Sequence, residues 1–113
     1  MDSILTSVKK DLGIVPEYTH FDADIIAAIN TAFSILHQLG AGPENGFSIS
    51  DDTAVWSDFI ADMSKLELIK TYVSKKVRMI FDPPTSSPIA EASNRIIDEL
   101  EWRINVAVDI NES

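Results

Sequence analysis

Eighteen consecutive positions, Ile25 to Gly42, hold no Asp, Glu, Lys or Arg, in a chain of 113 residues with a formal charge of −9. Ile25, Ile29, Phe33, Leu36 and Leu39 recur there at helical spacing. A helix on the surface of an acidic protein ordinarily keeps charge on its wet side. The expectation is therefore a helix protected around its circumference, by its own domain on one side and by another subunit on the other.

The remaining pattern is also helical. Ile4, Leu5, Val8 and Leu12 share one face of a short helix over 2–12, stopped by Gly13. For the helix over 23–39, Asp22 is the expected cap, Asp24 adds negative charge to the first turn, and Phe21 and Ile26 are placed for a hydrophobic staple. Gly40, Gly42 and Pro43 end it. The stretch 40–52 reads as a loop with an Asn45-Gly46 turn, pinned by Phe47 and Ile49. Asp52 or Thr53 can cap a short helix carrying Val55, Trp56, Phe59 and Ile60, with Trp56 and Phe59 as core anchors. A longer helix starts at Ser64, with Glu67 as its capping-box partner, and reaches Ile80 or Phe81. Leu66, Ile69, Val73, Val77 and Ile80 line its apolar side. Asp82-Pro83-Pro84 breaks the chain, Ser87 caps the last helix, and Pro88 suits its first turn. That helix is expected to run to about Val108 with Ile89, Ile96, Leu100, Ile104 and Ala107 on its apolar face. Glu91, Arg95, Glu99 and Arg103 form successive i,i+4 pairs. The expected fold class is all-α: a single domain over 1–113, a small bundle of four to five helices with two long antiparallel C-terminal helices and a flexible tail at 110–113.

Composition narrows the function. Nine Lys and Arg against eighteen Asp and Glu argue against a broad basic surface for nucleic acid. With no cysteine there is neither a disulfide framework nor a thiolate metal site. Met1-Asp2-Ser3 carries no basic region of a secretory signal, and no stretch approaches the apolar length of a membrane span. His20 and His37 stand in no metal-ligand spacing, and no glycine-rich phosphate loop is present. Asp22-Ala23-Asp24 and Asp51-Asp52 fall at helix starts, where capping explains them. Neither catalytic site nor metal nor cofactor is expected.

Three blocks, 3–14, 19–49 and 83–109, resemble the head-tail connector, or adaptor, proteins of tailed bacteriophages that infect Gram-positive bacteria. The clearest marks are Asp22-Ala23-Asp24-Ile25-Ile26, the stretch Gly40 through Phe47, and Asn94-Arg95-Ile96-Ile97 through Glu101-Trp102-Arg103. The resemblance implies a helical subunit of the phage neck that forms a ring, twelvefold in the virion, beneath the portal. Such a ring prolongs the DNA channel and receives the stopper, or head-completion, protein. It also implies assembly in the host cytoplasm, and a C-terminal region, here Asn94 to Asp109, that reaches the portal.

From these residues we expect one subunit face from Ile26, Ile35 and His37 and another from Tyr72, Lys75 and Arg78, whose cations meet a neighbour's acids. Arg95, Trp102 and Arg103 are expected at the portal or another partner. The surplus of carboxylates would let double-stranded DNA pass through the lumen without specific binding. Two other functions stay open at this point: a monomeric protein-binding adaptor and an acidic DNA-mimic regulator.

Overall fold

The computed structural model describes residues 3–60 and 65–112, with side chains through Val108. Five helices follow in chain order: α1 (Ile4–Asp11), α2 (Asp22–Gln38), α3 (Trp56–Phe59), α4 (Leu66–Phe81) and α5 (Ser87–Glu112). Among the described residues the chain is all-α, with a single isolated bridge between Ser3 and Val55.

Local chemistry explains most helix ends. The Ser3 hydroxyl accepts from the Thr6 N–H at 2.9 Å and opens α1. Gly40, at φ +90°, lets the chain turn back after α2, so that the Ala41 N–H reaches the Leu36 carbonyl at 2.9 Å. Three starts differ from expectation. Ser87, expected to cap the last helix, is the first residue of α5 itself. Phe21 occupies the cap position of α2 without a side-chain bond. Asp22 is drawn away because its Oδ1 lies 2.7 Å from the Nζ of Lys9. Asp51 likewise caps no helix: its carboxylate accepts from the Thr53 N–H and hydroxyl in a local turn, and these bonds hold its pKa below the ordinary value. At α3 the Asp58 carboxylate accepts from the Val55 N–H at 2.9 Å instead. The proposed cap Ser64 lies outside the described residues, and α4 opens after Lys65. α5 continues to Glu112, beyond the expected end at Val108.

α4 is the central element. It packs against α2 and against α5, and α1 crosses over both α2 and α4. The short 82–86 connection and the Tyr72–Glu101 contact make α4 and α5 antiparallel. Phe21 at the start of α2 meets Phe81 at the end of α4, rings 5.4 Å apart, so α2 and α4 are antiparallel as well. At the opposite end the Asn105 amide donates to the Leu39 carbonyl at 3.3 Å and joins α5 to the end of α2.

The core contains Ile25, Ile29, Phe33 and Leu36 from α2, Ile69, Val73 and Val77 from α4, and Trp56 and Phe59 from α3. Phe33 lies 4.7 Å from Phe59 and 5.1 Å from Phe47 between ring centres, so the 40–52 loop is pinned onto this cluster. On α5 the buried positions are Ile97, Leu100 and Ile104, whereas Ile89 and Ile96 are exposed. Leu100 and Ile104 keep their expected places, but contact with α4 selects Ile97 over Ile96, and Ile89 stays outside the core.

α2 is sheathed on one face only. Ala28 and Ala32 complete its buried side, while Ala27, Thr31, Ser34, His37 and Gln38 face outward. The full protection expected for this helix is therefore not supplied by its own chain. From Ala27 onward its free face is small and polar, without a formal charge, and Asp24 stands exposed at its start.

Candidate functional site

Lys9 shows how the chain places its first exposed feature. The side chain is 2% exposed, and its ammonium donates to the carbonyls of Pro16 at 3.0 Å and Tyr18 at 2.8 Å besides pairing with Asp22. A buried cation is tolerated because all three partners converge on it. Together these bonds fix the loop after α1 against the start of α2.

That loop projects an aromatic cluster in which Tyr18 and His20 each meet Phe21 edge-to-face, and Phe21 meets Phe81 in the same way. Beside it, Phe21, Asp24, Ala27, Ile80, Phe81 and Asp82 line an open notch of about 640 Å³. Phe21 is 37% exposed and Ile80 46%. Sequence reasoning assigned Ile80 to the core stripe and Phe21 to a staple, and so missed the notch. The unusual aromatic density of 18–21 was the available signal.

The expected interface residues fall in different environments. Ile26 and Ile35 are half-buried and pack against the core, and His37 is exposed near the end of α2. Lys75 is exposed and lines a polar groove between α1 and α4 that also holds Lys10, Asp11, Glu67 and Lys70. Arg78 is exposed and lies 3.8 Å from Asp82, a long surface pair of small energetic weight. Tyr72 is different. Its ring has no exposed surface, and its hydroxyl donates to Glu101 Oε2 at 2.8 Å. Burial first, then the bond and charge of Glu101 with that of Asp98, push the phenol pKa well above the ordinary range. Tyr72 therefore locks α4 to α5 and offers no surface to a neighbour.

On α5, Trp102 is 66% exposed and Arg95 is exposed, while Arg103 is held by Glu99 at 3.2 Å. These three residues share a helix but not one environment.

Charge is segregated along the chain. No Lys or Arg stands between Lys10 and Lys65, a span that holds nine Asp and Glu. Seven of the nine cations instead lie at Lys9, Lys10 and from Lys65 to Arg78, on and beside α1 and α4. The described residues contain no cluster of His, Cys, Asp or Glu able to hold a metal ion, and no helix long and apolar enough to cross a membrane. What the geometry offers is contact surface: an aromatic notch, a polar groove of mixed charge and an exposed indole.

Residues 4–111 match the family described as phage connector protein. The chain belongs to the phage connector family. Comparison with curated proteins and with solved structures gives no match. As a phage head-tail connector it is a structural protein and not an enzyme. Connectors of this family interact with portal and head-completion proteins, and family membership points to the neck of the virion.

Proposed function

We propose that this connector is the adaptor subunit of the neck of a phage with a Gram-positive host, a single helical domain that acts as a ring of twelve copies. The ring docks beneath the portal, prolongs the DNA channel and presents its far side to the stopper. The match of residues 4–111 to the connector family carries this reading.

Physical features support it. A ring contact is heterologous, so one subunit must carry two unlike surfaces. The outer side of α4 offers Lys75 and Arg78, and the free side of α2 offers an uncharged surface ending at His37, flanked by the half-buried Ile26 and Ile35. Arg95, Trp102 and Arg103 on α5 meet a partner, either the portal or a neighbouring copy. A net charge of −9 suits a lumen through which DNA slides, since a basic wall would hold phosphates through counterion release.

The test is to mix the purified chain with its portal and image the complex by electron microscopy. A ring coaxial with the portal is the expected result, and a portal left bare overturns the reading. Reversing Lys75 and Arg78 together to Glu should weaken assembly. Unchanged assembly at moderate salt would remove these two cations from the interface.

A further inference from the structure

Two exposed surfaces of this chain complement each other without meeting. The first is the notch between the start of α2 and the end of α4. Phe21, Ile80 and Phe81 form an apolar floor, and Asp24 and Asp82 stand at its lip. Asp24 has no ion pair among the described residues, and Asp82 has only the 3.8 Å contact with Arg78. A floor of aromatic rings with carboxylates at its edge suits a group that is both flat and cationic.

The second surface is a stripe on α5. Arg95 and Trp102 are seven residues apart and share a face, about 10 Å from one to the other along the axis. Trp102 makes no ring contact among the described residues, and Arg95 has no carboxylate partner there. Arg103, by contrast, is occupied by Glu99. One stripe thus offers an uncovered indole and a guanidinium without an ion pair, with the exposed carboxylate of Asp98 between them on the same face.

We infer that Arg95 and Trp102 of one copy seat in the Phe21–Phe81 notch of the next copy. The indole covers Phe21 and Ile80, and the guanidinium reaches the carboxylates of Asp24 and Asp82. The inference rests on the ring reading and adds to it a contact beyond the α4 and α2 surfaces proposed above. The occupant is a second copy because a chain that carries both halves of a complementary pair on different elements meets the demand of a heterologous contact with itself. Opposite charge then fixes the register and orientation of the approach. Lys9 is the positioning residue of the notch, since its bonds to Pro16, Tyr18 and Asp22 hold the loop that ends in Phe21.

The chain has no cysteine, so introduced thiols report one pair at a time. Full-length Ala27→Cys and Asp98→Cys variants are mixed, added to the portal, imaged, and oxidised. Ala27 lines the notch, and Asp98 lies one turn from both Arg95 and Trp102. The expected result is a ring whose mixed disulfide forms at least about tenfold faster than either same-site disulfide, falling by a similar factor with Trp102→Ala. Trp102 is exposed, so that variant keeps the fold. A ring without this cross-link, or with a cross-link indifferent to Trp102→Ala, overturns the inference and leaves the ring reading standing. A bare portal overturns both.

Discussion

Replacing Lys9 with Met tests whether the buried ammonium organises the edge of this bundle. Methionine keeps the length and apolar stem of the side chain but supplies no donor. The substitution strips three partners at once: the carbonyls of Pro16 and Tyr18 and the carboxylate of Asp22. Removing one member of a buried ion pair costs about 3–5 kcal/mol. Asp22 keeps 26% exposure and can be partly rehydrated, which favours the lower end, about 3 kcal/mol. Against a typical domain stability of about 5–15 kcal/mol this is a large fraction. With a urea dependence of about 1–3 kcal/mol per molar, the unfolding midpoint should fall by about 1–3 M. Amide exchange should also quicken in residues 13–21 ahead of the rest of the chain, because these bonds hold that loop. Adding Asp22→Asn to Lys9→Met should cost less than the sum of the two single changes, by at least about 1 kcal/mol. A Lys9→Met protein within about 0.5 kcal/mol of the parent, with ordinary exchange in 13–21, would refute the argument.

Gly42 sits at φ +86°, and a Cβ there would lie 2.4 Å from the ring of Phe59. Gly42→Ala should therefore destabilise by about 2 kcal/mol or more, read as a lower Tm, whereas Gly13→Ala, at φ +81° with nothing within 4 Å, should lose only about 1 kcal/mol. In a Tyr18→Phe background the remaining phenol, Tyr72, should stay un-ionised through pH 11 by ultraviolet absorbance while the chain is folded. Because the folded pKa of Tyr72 lies above its unfolded value of 10.0, its contribution to stability is complete below pH 10.0 and declines as pH rises further. A urea midpoint for the Tyr18→Phe chain that stays level between pH 9 and pH 11 would contradict this. Asn30→Ala removes two bonds to Ile49 and should cost about 2 kcal/mol, with faster proteolysis within 40–52.

Helix positions were readable because apolar spacing and turn residues agree in this sequence. The Gly13, Gly40 and Pro83-Pro84 boundaries all mark real ends, whereas the Ser3 cap of α1 was not read and that helix was expected to start at residue 2. Reading failed where a distant residue decides the outcome. Asp22 has every local mark of a cap, yet Lys9, in another helix, takes its carboxylate. Ile96 and Ile97 fit the helical period of α5 almost equally well, and only the position of α4 separates them. Tyr72 looks like a surface residue until Glu101, twenty-nine positions later, meets its hydroxyl. Of the expected contact residues, the exposure of Lys75, Arg78, Arg95 and Trp102 agrees with the charged and amphipathic surroundings they have in the sequence. The notch was invisible because Phe21 and Phe81 are sixty residues apart and become neighbours only through the antiparallel packing of α2 and α4.

Asn30 bonds Ile49 in both directions, its amide donating to the carbonyl at 3.0 Å and its oxygen accepting the N–H at 2.8 Å. A single side chain thereby imitates the rung of a ladder and rivets the stem of a long excursion to the helix beneath. The tip at Glu44-Asn45-Gly46 lies outside that rivet. An epitope or fluorophore grafted between Glu44 and Asn45 should leave the bundle intact, whereas the same graft beside Ile49 should pry it open.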